Sequence, residues 1–148
     1  MSTLPDLCLR QIDILNKISG LKGMIRTDFL EEPINVRVAF ESLRSLGEAL
    51  KQHLAAEDRD VYPALLIHED PKLKSLAWGF ISGEKPIRKQ LDNFYDKWLQ
   101  QPELEPNEEF ICEALDFCRT CEERINREQH ILIPRLENGH IFGSTQAV

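Results

Sequence analysis

Apolar residues recur along most of the chain at alternating steps of three and four, the period of one α-helical face. Four stripes can be written. Over about 4–29 the stripe is Leu4, Leu7, Ile14, Ile18, Leu21 and Ile25. Over about 33–68 it is Val36, Phe40, Leu43, Leu50, Ala64 and Ile67. Over about 71–100 it is Leu73, Ala77, Phe80, Ile87, Leu91, Phe94 and Trp98, and over about 106–136 it is Phe110, Ala114, Phe117, Cys121 and Ile131. Pro33 and Pro71 are placed to open helices, and Asn107 with the acidic pair Glu108-Glu109 suits a third N-terminal turn. No strand alternation or hairpin signal competes. The expectation is an all-α protein, an up-down four-helix bundle forming one domain over 1–148, with a tail over 137–148 that is frayed from Ser144 to Val148. Gly20 and Gly23 weaken the first helix and offer close packing, Pro63 bends the second, and Gly79, Gly83 and Pro86 kink the third.

Each stripe is interrupted by polar residues: Gln11 on the first, His53 and Glu57 on the second, Glu84 on the third, Arg124 and Glu128 on the fourth. Lys85 is the one-residue alternative to Glu84. Two of the interruptions share a pattern. His53-Leu-Ala-Ala-Glu57 leads to Pro63 and Arg124-Ile-Asn-Arg-Glu128 leads to Pro134, so a basic residue is followed four later by Glu and ten later by Pro. Val61 and Leu132 sit at the same offset between Glu and Pro. Residues four apart lie on one helix face, so each copy aims two polar groups at one point. Burying a charge is costly unless it is paired, hydrogen-bonded or metal-bound, and four seams interrupted about midway therefore imply one shared polar chamber.

Composition narrows the partners. With 148 residues, 42% hydrophobic and 29% charged, the chain can bury a core, and a net charge of −7 argues against nucleic acid as a partner. No apolar run reaches a membrane span, and the first residues lack a signal-peptide pattern, so no membrane and a cytoplasmic location are expected. A basic protein partner remains compatible with the acidic surface; the oligomeric state is left open. Cys8, Cys112, Cys118 and Cys121 do not form a disulfide framework, and Cys118-Arg-Thr-Cys121 stands mid-helix with no second pair, so these are read as small packed thiols rather than a redox or zinc motif.

The run His53-Leu-Ala-Ala-Glu57 with Tyr62-Pro63 resembles the signature of the hemerythrin-like (HHE, cation-binding) domains, and the resemblance spans about Leu4 to Leu136. It implies a four-helix bundle around a non-haem diiron centre. The implied ligands are a His on the first helix, HxxxE on the second, His on the third and HxxxE on the fourth, with both Glu bridging. Carried across, His53, Glu57 and Glu128 match directly. Gln11 stands at the first-helix His, Glu84 at the third-helix His, and Arg124 at the fourth-helix His. A guanidinium offers no lone pair, so Arg124 should exclude an ion from half of such a centre, and reversible oxygen binding is not expected.

Two fillings of the chamber follow. One is a single divalent ion, iron, manganese or zinc, held by His53, Glu57, Glu128 and Glu84 with Gln11 behind them; three carboxylates against Arg124 leave two negative charges for it to neutralise. The other is a metal-free chamber in which Arg124 bridges Glu57 and Glu128, Lys85 swings in, and Glu84 stays protonated. A small sensory or regulatory bundle is the leading functional expectation, not an enzyme; an oxidase or peroxidase of the carboxylate-bridged kind and a metal-free interaction module are the alternatives. The bland readings stand beside these. His68, His130 and His140 are surface residues, Asp58 and Asp60 are solvated, and Trp78 and Trp98 are core aromatics.

Overall fold

A computed structural model describes residues 3–100 and 105–139. Helix α1 is Leu4–Lys22, opened by a reciprocal cap: the Thr3 hydroxyl accepts from the Asp6 N–H at 3.3 Å and the Asp6 carboxylate from the Thr3 N–H at 3.0 Å. It is shorter than the expected 4–29. The chain leaves the helix at Gly23, and a 3-10 turn, Phe29–Glu31, leads into the next element. Nothing packs within 4 Å of where a Gly20 side chain would begin, so the close approach expected there is absent.

Helix α2 is Pro33–Asp60 and α3 is Tyr62–Leu66. The expected helix over 33–68 is thus two helices. Pro63 cannot donate to the carbonyl of Arg59, and its ring crowds that carbonyl, so the ladder fails at Val61. The break resets the register. Tyr62 and Leu65 turn inward, Ala64 is only half-buried, and Ile67, expected in the seam, is 84% exposed.

Helix α4 is Pro71–Phe94, capped by Asp70, whose side chain accepts from the Lys72 N–H at 2.9 Å. It continues without a break through Gly83 and Pro86, then relaxes into a π-helical turn, Tyr95–Leu99. Helix α5 is Glu108–Arg127, with Asn107 accepting from the Phe110 N–H at 2.8 Å. A second π turn, Glu128–Leu132, follows directly, and α6 is Ile133–Asn138. Pro134 again lacks the N–H that would close an α-turn, and the wider turn ahead of it absorbs an extra residue. Leu132 is therefore fully buried, while Ile131, expected in the seam, is 45% exposed.

The polar positions divide the core. On α1, Gln11 lies between Leu7 below and Ile14 above; on α4, Glu84 lies between Phe80 and Leu91. His53 and Glu57 separate Leu50 from Val61, and Arg124 and Glu128 separate Cys121 from Leu132. The larger apolar cluster carries a ring group of Phe40, Phe94, Trp98, Phe110 and Phe117. Trp98 belongs to it, but Trp78 is 57% exposed and is no core residue. Cys118 and Cys121 are buried, Cys8 is half-buried, and Cys112 is exposed. Among the described residues no helix is long and apolar enough to cross a membrane.

Candidate metal centre

Between the two apolar clusters six side chains from three helices and the α3 restart meet: Gln11, His53, Glu57, Tyr62, Arg124 and Glu128, each at most 3% exposed. The fourfold spacing does its geometric work. His53 and Glu57 sit one turn apart on α2, and the His53 Nε2 lies 3.4 Å from Glu57 Oε2. Arg124 and Glu128 repeat the relation across the end of α5, with Arg124 Nε donating to Glu128 Oε2 at 2.8 Å.

Glu128 is the hub. Its Oε1 is 2.6 Å from His53 Nε2 and accepts from the Gln11 Nε2 at 3.0 Å, so three cationic or amide donors surround one carboxylate. Burial opposes its charge, but the His53 hydrogen bond and the Arg124 charge prevail and hold the carboxyl below its usual range. Glu57 behaves oppositely. Burial, then the nearby Glu128 charge, push its pKa up, with His53 only partly compensating. Burial disfavours the imidazolium of His53, yet the hydrogen bond to Glu128 and the Glu57 carboxylate 3.4 Å away outweigh it and the ring is pushed up to about 9.

Arg124 reaches every side of the chamber. Nη2 donates to the Tyr62 hydroxyl at 2.6 Å and lies 3.4 Å from Glu57 Oε1; Nη1 donates to the Phe80 carbonyl at 2.9 Å. Tyr62 in turn donates to Glu57 Oε1 at 3.3 Å. Burial and the Glu57 carboxylate drive the phenol above its usual range, so it stays protonated.

The remaining expected residues lie elsewhere. Glu84 is 6% exposed and does not join the ligand cluster of His53, Glu57 and Glu128; its Oε1 is buried 3.6 Å from Arg88, with Asp58 beside it. Burial first, and the Asp58 carboxylate second, push Glu84 up to about 8. Lys85 is exposed and does not enter the chamber. Asp58 is half-exposed and meets Arg88 at 3.3 Å, whereas Asp60, expected in solvent, has a side chain only 6% exposed, held by Arg59 at 3.0 Å. His130 is exposed; His68 is half-buried and its Nδ1 accepts from the Asp70 N–H. His140 falls outside the described residues. Tyr62, the Phe80 carbonyl and Gly83 carry no expectation from the stripes. Tyr62 alone left a signal, since a Tyr beside a helix-breaking Pro on a core face must find a partner for its hydroxyl.

His53, Glu57 and Glu128 offer ligand atoms that all lie within 4.8 Å of one another. One imidazole and two carboxylates suit a single divalent ion, whose neighbouring donors stand roughly 3 Å apart at ordinary bond lengths. Glu57 Oε2 is buried and has no hydrogen-bond partner among the described residues, as a free ligand oxygen would. A dinuclear centre does not fit. The guanidinium already binds one oxygen of each carboxylate, and among the described residues no second imidazole joins the cluster. The charge balance also shifts with Glu84 outside the cluster: two carboxylates against one guanidinium leave a single negative charge, half of what one divalent ion supplies.

A family model described as Hemerythrin HHE cation binding domain matches residues 10–136, a span that holds all of the chamber residues. Neither the curated proteins nor the solved structures yield a match.

Proposed function

This chain belongs to the hemerythrin HHE cation-binding domain family, and on that premise we propose that it is a sensory or regulatory bundle holding at most one divalent cation, not a dinuclear oxygen carrier. The observation that carries this reading is the position of Arg124, bonded to Glu128 at 2.8 Å and facing Glu57 at 3.4 Å. A fixed positive charge there repels a second ion and withdraws two of the four carboxylate oxygens. His53, Glu57 and Glu128 are the residues that would hold the one ion. An oxidase or peroxidase of the carboxylate-bridged type needs both carboxylates shared between two ions, which the same contacts oppose.

A regulatory role is supported by the way one chamber joins every long helix. Gln11, His53, Tyr62, the Phe80 carbonyl and Arg124 come from α1, α2, α3, α4 and α5. A change of occupancy at Glu57 or Glu128 is therefore felt throughout the bundle. The metal-free interaction module is favoured by one further observation, the placement of Glu84 outside the cluster, which removes the third carboxylate a divalent ion would need for neutrality.

Metal counting decides the matter. Protein purified without a polyhistidine tag and loaded anaerobically with ferrous, manganous or zinc ion should retain no more than one ion per chain, and should show no oxo-bridged diiron absorption after exposure to air. Two ions per chain, or that absorption, overturns the proposal.

A further inference from the structure

The guanidinium of Arg124 is enclosed on every side. Nε meets Glu128, Nη2 meets the Tyr62 hydroxyl, and Nη1 meets the Phe80 carbonyl. The Phe80 ring lies 4.9 Å from its central carbon, a cation–π distance. At Gly83 a Cβ would stand 3.4 Å from Nη1, in ordinary contact, so a side chain longer than that of alanine is what would crowd the group.

These partners do not resemble a vacated half of a metal site. A main-chain carbonyl and a phenol that take separate N–H groups of one forked donor, with an aromatic ring nearby, match a planar cation carrying several N–H groups. A compact ammonium would satisfy fewer of them. We propose that the Tyr62 hydroxyl, the Phe80 carbonyl and the Phe80 ring form a socket specific for a guanidinium, with Arg124 as its resident occupant in place of a second metal ion. The inference rests on the proposed limit of one ion only for what Arg124 replaces; the socket stands or falls in metal-free protein.

Chemical rescue tests it. The full chain carrying Arg124→Ala, stripped of metal with a chelator, should melt well below the wild type. Millimolar methylguanidinium should restore its Tm saturably, and equal methylammonium or sodium chloride should not. Adding Tyr62→Phe should raise the half-saturating methylguanidinium concentration by roughly tenfold or more, as expected for losing a hydrogen bond to a charged group. Equal rescue by methylammonium, or rescue by neither, overturns the socket. Should Arg124→Ala fail to fold, Arg124→Lys supplies the test. A clear loss of Tm supports guanidinium specificity, and a Tm equal to wild type overturns it. Two metal ions counted on the wild type would sink the proposed function while leaving a positive rescue intact.

Discussion

Arg124 and Glu128 form a buried ion pair one turn apart, Nε to Oε2 at 2.8 Å, at the point where α5 gives way to a π turn. Replacing the guanidinium with an imidazole keeps the spacing and turns a fixed charge into a ligand. Arg124→His should therefore raise the metal content of iron-loaded protein by up to one ion per chain, read by elemental analysis. Unchanged stoichiometry would count against Arg124 as the residue that excludes the second ion.

Glu128 and Glu84 are both buried carboxyls in their stripes, but their surroundings predict opposite responses. Glu128 is held ionised by His53, Gln11 and Arg124. Glu128→Gln strands two buried cationic groups and should cost about 3–5 kcal/mol in urea unfolding. Glu84 is held protonated by burial and by Asp58. A raised folded pKa means that ionising it costs stability above its ordinary range, so Glu84→Gln near pH 8 should leave stability within about 1 kcal/mol of wild type or improve it. Equal losses in the two variants would contradict the different placements.

The two cases also show what a stripe can and cannot convey. Period locates the buried positions: Gln11, His53, Glu57, Glu84, Arg124 and Glu128 are all at most 6% exposed. It does not locate the tip of a side chain. Glu84 is in register and buried, yet its carboxylate stands near Arg88, one turn on, and outside the cluster of ligand atoms. Period also presumes an unbroken helix. Ile67 and Ile131 leave the seam because the register is reset by the break at Pro63 in one case and by the π turn that precedes Pro134 in the other. The same resetting brings Tyr62 into the chamber, and main-chain groups such as the Phe80 carbonyl carry no sequence signal at all.

The cysteines give a direct check on packing. Burial pushes the Cys118 thiol up to about 11 and Cys121 higher still, so neither supplies thiolate at neutral pH. An aromatic disulfide reagent should label exposed Cys112 first and Cys8 more slowly. Cys118 and Cys121 should react only on unfolding, and mass spectrometry of partly labelled protein should find them unmodified. Fast reaction of the Cys118–Cys121 pair in native protein would restore the redox reading of that motif.

Stability of the metal-free protein should fall at alkaline pH because of His53. Its folded pKa, about 9, stands above the ordinary 6.5. A group raised in this way contributes fully below the unfolded value and loses its contribution as pH climbs through the folded one. The window therefore opens near 6.5 and closes above 9. The full contribution is at most roughly 3 kcal/mol, because a shift of one unit is worth about 1.4 kcal/mol and His53 shares its protons with Glu57 and Glu128. Glu57 does not cancel the trend: its raised pKa also favours the protonated fold, so its ionisation adds to the loss from lower pH upward. Glu128 acts in the other direction and only in acid, where protonating a carboxyl held below its usual range removes stability. Urea unfolding of chelator-treated protein should thus show ΔG declining between about pH 7 and 9, and His53→Gln should flatten that decline. A wild-type profile already flat across the window would mean that the imidazole is not held as a cation between the two carboxylates.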